Sequence, residues 1–328
     1  MTVIDVHTHM LSLDWLEQLG IHGKPHYEVK ATKAGQQTIH MFGSPFMTLF
    51  KEMWDYKSRI RNMNKAGVDT AIVSLTCPNV FWGPAASSKT AARMVNESMA
   101  AAHDKYGDRI RWFASIPWQH TEFAREELAW AVERGAVGVM VLANIAGKDL
   151  TDPLFAPVWG DIDRRVLPLL VHPTAPQGVA DLHMDEYGLV PPVGFMVDTT
   201  VAFSRMIFNG FLDLYPNLKL IAAHGGATLP YLAGRLDMCH ERIPACSEHI
   251  SDKPSEYLQR IWYDSVVYAR EALDLCIKVA GDPERVLYGS DYPHNIGDMA
   301  GILARVNSLK KADAKRIAGK NAEQLFGL

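Results

Sequence analysis

The stretch from Leu218 to Arg242, LKLIAAHGGATLPYLAGRLDMCHER, reads as one complete unit of a larger pattern. Leu218–Ala223 is a short apolar run, long enough for a strand and too short for a buried helix. His224 closes it, Gly225 and Gly226 turn the chain, and Leu229–Arg242 has the spacing of a helix. The same unit recurs on both sides. Candidate strands are Val3–Val6, Thr70–Leu75, Arg111–Ile116, Ala136–Leu142, Leu167–Val171, Leu218–Ala223, Ile261–Val266 and Val286–Gly289. They are rich in β-branched residues and lack strict alternation, as parallel strands buried on both faces do. Helical patterns lie between them: Ser58–Ala66, Thr90–Tyr106, Glu122–Arg134 with Thr121 as its N-cap, Leu154–Arg165, Thr199–Tyr215, Leu229–Arg242 and Arg270–Ala280. Two more, Gly301–Leu309 and Asp313–Phe326, end the chain. Eight strands alternating with helices predict an α/β fold, a (β/α)8 barrel of the TIM type. The runner-up is an open doubly wound sheet, but no G-x-G-x-x-G follows an early strand.

One segment departs from the alternation. Residues 20–54, rich in Gly, Lys, Thr and His, are read as a small insertion after strand one in an otherwise single domain spanning 1–328. The proline-containing stretch Pro173–Gly194 is a second long loop, after strand five. Both are expected over the C-terminal face of the barrel, where such folds keep their chemistry.

Composition narrows the class. Of 328 residues, 48% are hydrophobic and 21% charged, which excludes a disordered or fibrous chain. With 33 Lys and Arg against 37 Asp and Glu, the net charge of -4 offers no general attraction to nucleic acid or an anionic membrane. Neither is expected as a partner. The four cysteines, Cys77, Cys239, Cys246 and Cys276, form no C-x-x-C pair and no disulfide framework, so cytoplasmic thiols are expected. Cys239, His240, Cys246 and His249 lie close together but meet no zinc-site spacing. The opening MTVIDVHTHM has neither a basic region nor a long apolar run, and no secretory leader is expected.

Chemistry collects at the strand ends. His7 and His9 form an H-x-H, and residues two apart on a strand share a face. His172 closes strand five, His224 strand six and Asp291 strand eight. A strand-end histidine can simply cap a loop, and an aspartate before Tyr-Pro can make a turn. In a barrel, however, these ends converge on one mouth. Three histidines and a carboxylate suit a divalent ion such as zinc, and a fourth histidine is left for acid–base work. Asp264 ends strand seven and is either a partner for His224 or a loop anchor; Asp5 lies deeper on strand one.

This pattern resembles the metal-dependent amidohydrolase superfamily, and within it the branch of aminocarboxymuconate-semialdehyde decarboxylase and related aromatic-acid decarboxylases. The resemblance runs along nearly the whole chain. It rests on Ile4-Asp5-Val6-His7-Thr8-His9, on Trp54-Asp55 with Arg59 and Ala66-Gly67-Val68, and on Leu170-Val171-His172-Pro173. Ala223-His224-Gly225-Gly226, Gly234-Arg235 and Gly289-Ser290-Asp291-Tyr292-Pro293 complete it. It implies that His7, His9, His172 and Asp291 hold one divalent metal ion, zinc by preference with manganese as the alternative. His224 would be the acid/base, with Asp291 as ligand, proton carrier or both. Members with two metals usually carry a bridging lysine or glutamate at the end of strand four. Here that strand ends Val141-Leu142-Ala143-Asn144, with Lys148 four residues beyond, which implies one metal.

The activity implied is non-oxidative decarboxylation of an aromatic or muconate-type carboxylic acid, a carboxy-lyase reaction on a small molecule. The alternative on the same scaffold is a hydrolase or hydratase acting on a lactone or carboxylated diene. A non-catalytic metal-stabilised protein is the reading from another class. Arg235 matches a position where an arginine reaches a neighbouring subunit's site, which implies a homodimer or higher homo-oligomer. A second substrate-binding arginine of the semialdehyde enzyme is missing, for Phe46 and Met47 stand in its place and Lys51 is the only cation nearby. An aromatic acid against an apolar wall of Phe46, Trp82 and Phe195, with Met47 and Phe81 as further candidates, suits this sequence better.

Overall fold

The structure, a computed structural model, describes residues 2–33 and 35–328. Its strands in chain order are β1 (Ile4–His9), β2 (Tyr27–Ala31), β3 (Gln37–Met41), β4 (Ser44–Thr48), β5 (Thr70–Ser74), β6 (Ile110–Ala114) and β7 (Gly138–Leu142). They continue with β8 (Asn144–Ile145), β9 (Lys148–Asp149), β10 (Pro168–His172), β11 (Lys219–Ala222), β12 (Trp262–Asp264) and β13 (Val286–Leu287). Eight of them form one parallel sheet in the order β1-β5-β6-β7-β10-β11-β12-β13. The sheet closes on itself. The Val6 N–H donates to the Tyr288 carbonyl at 2.9 Å and the His9 N–H to the Tyr292 carbonyl at 2.7 Å. The N–H groups of Ser290 and Asp291 donate in return to the His7 carbonyl, at 3.1 and 2.8 Å. The barrel follows from composition: β1, β5, β7 and β10 are buried at every position, so each needs cover on both faces.

The helices supply the outer cover. Trp15, Trp112, Trp118 and Trp159 are all fully buried, and burying each such side chain contributes roughly 1.5–3 kcal/mol. The Trp118 and Trp159 rings lie 4.7 Å apart, and Phe211 meets Trp159 at 5.1 Å. Two predicted helices, Leu229–Arg242 and Arg270–Ala280, have the expected bounds.

Others differ for physical reasons. The helix predicted over Thr199–Tyr215 begins at Phe195, stops at Phe208 and resumes as a single turn, Phe211–Leu214. The break falls at Gly210, whose φ of 70° and close approach to the His249 carbonyl leave no room for a side chain. Thr121 is not an N-cap. It opens the helix Thr121–Glu133, and its hydroxyl donates to the Leu154 carbonyl at 3.1 Å instead. A helix not predicted, Leu13–His22, follows β1; its Ser12 N-cap accepts the Trp15 N–H.

Strands β2, β3 and β4 make a separate antiparallel sheet between that helix and the helix Tyr56–Ala66. Together with the segment 173–194 it covers the C-terminal ends of β7 and β10. A cavity of about 1070 Å³ lies between the sheet and that segment.

Candidate active site

The site is built where β1, β10, β11 and β13 end. His7 and His9 leave β1 on one face, with their Nε2 atoms 3.2 Å apart. His172 ends β10, and its ring lies 5.1 Å from that of His7 and 4.8 Å from that of His9. Asp291 Oδ1 lies 3.5 Å from His7 Nε2 and 3.3 Å from His9 Nε2. His224 stands opposite, with Nε2 at 3.7 Å from Asp291 Oδ2. All five residues are buried.

The rings are fixed from behind. His7 Nδ1 meets Asp264 Oδ2 at 2.5 Å, His9 Nδ1 meets the Ser74 hydroxyl at 3.0 Å, and His172 Nδ1 donates to the Pro173 carbonyl at 2.7 Å. With each Nδ1 engaged elsewhere, each Nε2 is free to turn a lone pair inward. His172 Nε2 and Asp291 Oδ1 are buried without a hydrogen-bond partner, as is His224 Nδ1. Buried orphan acceptors of this kind are costly unless a cation satisfies them. His7, His172, His224 and Asp291 place ligand atoms within 4.8 Å of one another. The donor set fits a divalent cation.

Electrostatics act differently on the three rings. Burial drives the His9 imidazole down to about 3 and holds His172 well below its ordinary value, so both stay neutral. Burial acts on His7 too, but the Asp264 carboxylate outweighs it and raises His7. Asp291 is also pushed upward by burial. The neighbouring His224 and His9 imidazoles overcome this and keep it ionised, well below the usual carboxylate range.

Backbone strain is concentrated here. His224 has φ 55° and ψ 47°, a left-handed conformation that costs a residue with a side chain roughly 1–3 kcal/mol. Asp291 also has φ 55°. Asp264 holds the first of these turns, since its carboxylate accepts the N–H groups of His224 and Gly225, each at 2.9 Å. Asp264 therefore anchors the His224 backbone and orients the His7 ring. It makes no bond to the His224 ring. A Cβ at Gly226 would stand 2.6 Å from the Tyr263 ring, and one at Gly289 would stand 2.7 Å from His7 Cβ. Both positions require glycine to bring the strands this close.

The surrounding residues divide clearly. Asp5 accepts from the Ser290 hydroxyl at 2.5 Å and the Ser290 N–H at 3.0 Å, tying the first barrel strand to the last. Arg59, fully buried, donates to the Thr8 hydroxyl at 2.6 Å and to the His9 carbonyl. Phe195 lies 6.1 Å from His172 and 6.5 Å from His224, and Phe46 lies 6.3 Å from Phe195. Phe46 and Phe81 line the cavity. Trp82 does not: its indole N–H donates to the Asn79 carbonyl at 2.7 Å, the same carbonyl that takes Trp15. Met47 is buried in the core, away from the cavity wall. Arg235 is exposed on the helix Leu229–Arg242 and outside the cavity wall.

Lys148, in β9, pairs with Asp152 at 2.9 Å. The four cysteines are free. Among the described residues, the other group able to hold a metal is His9, Asp291 and His294, which shares only Asp291 with the first. His294 was missed by the sequence reading. Its ring lies 5.0 Å from that of His9, and its Nε2 meets the Thr76 hydroxyl at 3.0 Å. Its position three residues after Asp291 was the available signal.

The family model for amidohydrolase matches residues 4–328. The chain belongs to the amidohydrolase family. Among curated relatives, it is 28% identical over 334 residues to the 2-amino-3-carboxymuconate-6-semialdehyde decarboxylase of Dictyostelium discoideum, covering 99% of this chain and 91% of that one. Among solved structures, the fold matches the 5-carboxyvanillate decarboxylase of Sphingomonas paucimobilis with a TM-score of 0.87 at 24% identity, over 100% of this chain and 99% of that chain. It also matches a dihydroxybenzoic acid decarboxylase of Polaromonas, solved with bound manganese and the inhibitor 2-nitroresorcinol, with a TM-score of 0.82 at 23% identity over 100% of this chain and 97% of that chain. These two likenesses agree with the eight-stranded barrel. As to membranes, no helix among the described residues is long and apolar enough to cross one.

Proposed function

We propose that this amidohydrolase is a metal-dependent, non-oxidative decarboxylase of an aromatic or muconate-type carboxylic acid, with His7, His9, His172 and Asp291 holding one divalent ion. The observation that carries the reading is that His172 Nε2 and Asp291 Oδ1 are buried without partners, Asp291 Oδ1 lying within 3.5 Å of the Nε2 atoms of His7 and His9, with His224 Nε2 on the other carboxylate oxygen at 3.7 Å. The curated relative from Dictyostelium, a decarboxylase matched along almost the whole chain, supports it. Zinc is the proposed ion because imidazole outnumbers carboxylate three to one. Manganese, the ion in the Polaromonas enzyme, is the alternative to be tested.

When bound, the ion draws electron density from a substrate oxygen and stabilises charge developing on it. The chain's own residues do the rest. Phe195 borders the histidines and provides a face for an aromatic ring. His224, opposite Asp291, serves as the acid and delivers a proton from its imidazole to the ring carbon. The bond from that carbon to the carboxyl group breaks, its electron pair stays on the ring, and CO2 leaves. Asp264 acts through position: by bonding the N–H groups of His224 and Gly225 it fixes the turn from which that imidazole projects.

A homodimer belongs to the same reading. The helix Leu229–Arg242 buries little within its own chain and presents Tyr231, Arg235 and Met238 on one exposed face. Val193, Val197 and Val201 form an exposed apolar line on the neighbouring helix Phe195–Phe208 and the turn before it. This surface suits a second copy, which would bring Arg235 of the partner subunit towards the substrate carboxylate.

The test is CO2 release from metal-loaded protein offered hydroxybenzoic, aminobenzoic and carboxymuconate acids, with products weighed by mass spectrometry. Loss of CO2 supports the reading. A product that has gained water and kept its carboxyl group would replace it with the hydratase or hydrolase alternative.

A further inference from the structure

The cavity beside the metal cluster is larger than a single-ring acid requires. Its volume is about 1070 Å³, whereas pockets of roughly 300–1,000 Å³ enclose drug-sized ligands and a hydroxybenzoate has only about ten heavy atoms. His7, His9, His172 and His224 are not in its wall. Phe195 edges onto His172 and His224, Phe46 contacts Phe195, and Phe46 faces the cavity. An aromatic acid with its carboxyl group at the metal cluster and its ring against this pair therefore directs its far side into the cavity.

The wall there is selective in charge. Tyr27, Met41, Phe46 and Met184 give it apolar surface, and Asn144 and Gln177 give it neutral polar groups. Among the described residues its carboxylates are the exposed Asp181 and Asp185; the exposed imidazoles of His26 and His183 also line it, and no lysine or arginine does. A second carboxylate on the far side of the substrate would stand near two like charges and would meet no lysine or arginine. An apolar group would be transferred from water to apolar surface.

We infer that the enzyme's substrate is an aromatic monocarboxylic acid bearing a bulky, uncharged substituent remote from the reacting carboxyl group, and that the cavity between the β2–β3–β4 sheet and residues 173–194 recognises that substituent. This rests on the decarboxylase reading for the position of the reacting carboxyl group and deepens it to a substrate class.

The experiment measures binding and CO2 release separately. Metal-loaded protein is titrated calorimetrically with 2-hydroxybenzoate, its 4-phenyl derivative and 2-hydroxyterephthalate, which place hydrogen, an apolar group or a carboxylate at the same position. The 4-phenyl acid is expected to bind at least tenfold more tightly than 2-hydroxybenzoate, and 2-hydroxyterephthalate more weakly than either. Val179 lines the cavity from the covering segment. Val179→Trp should abolish the gain from the phenyl group and leave 2-hydroxybenzoate binding within twofold. The surface variant Asp181→Lys/Asp185→Lys should improve binding of 2-hydroxyterephthalate at least threefold. No gain from the phenyl group, or tightest binding of 2-hydroxyterephthalate to the wild type, would overturn the inference. The expected binding order without CO2 release from any acid would leave the recognition of the substituent supported and remove the decarboxylase reading. Release of CO2 chiefly from 2-hydroxyterephthalate would do the reverse.

Discussion

His7 Nδ1 and Asp264 Oδ2 lie 2.5 Å apart at the ends of β1 and β12, and the same oxygen accepts the N–H of His224 at 2.9 Å. One buried carboxylate thus orients a proposed metal ligand and holds the strained turn that carries the proposed acid. Asp264→Asn keeps the shape but removes the charge behind His7. Loss of such an outer partner typically weakens a metal site 10–100-fold, and a drop of that order is expected here. Competition with a chelator of known affinity checks it; wild-type metal affinity would show that His7 does not depend on Asp264.

His172 has its Nδ1 bound to the Pro173 carbonyl and its Nε2 buried without a partner. His172→Ala should therefore lose metal and activity together. Elemental analysis after dialysis, set beside turnover, separates the possibilities. Full occupancy in this variant would remove His172 from the ligand set.

Arg235 is exposed and lies outside the cavity of its own chain. If it serves the partner subunit's site, Arg235→Ala should raise KM at least tenfold with metal content unchanged. Specific activity of the wild type should also fall on dilution, in step with dissociation seen by light scattering. A dilute monomer with full activity would contradict this.

The barrel was legible because its strands are buried apolar runs that end in chemically distinctive residues. His7, His9, His172, His224 and Asp291 each stand at or just past such a run, so their convergence follows from the fold class. What supports them was less legible. Ser74 behind His9 and Arg59 under the H-x-H strand act through contacts with residues 65 and 50 positions away. No local pattern signals such pairings. Trp82 follows β5 closely and is aromatic, which makes it resemble a wall residue in sequence. In three dimensions Asn79 turns it away, by offering one carbonyl to two indoles. Thr121 failed as a cap for a similar reason: a hydroxyl at a helix start has several acceptors within reach, and here the Leu154 carbonyl takes it.

Asp198 carries a pH signature outside the metal cluster. It accepts the Thr174 N–H and the Asn144 amide, each at 2.9 Å, and burial pushes its carboxyl up to about 7 from 3.8. The folded chain thus keeps a proton that the unfolded chain has already released. This contribution to stability is complete below the unfolded value near 3.8 and is lost as pH rises through about 7. Its upper limit is about 4 kcal/mol, from roughly 1.4 kcal/mol per pKa unit. Urea unfolding of metal-loaded protein between pH 5 and 8 should show wild type losing stability with rising pH relative to Asp198→Asn. Parallel curves would rule this out.

The central claim is that His224 delivers the proton while other residues hold the ion. The most direct test compares CO2 release by metal-loaded wild type and His224→Ala at equal, measured metal content, using the tightest-binding aromatic acid. Proton transfer by a positioned side chain contributes about 100- to 10,000-fold, so the variant should retain its metal and lose turnover by that factor. Turnover within a few-fold of wild type in a fully metallated His224→Ala variant would contradict the account.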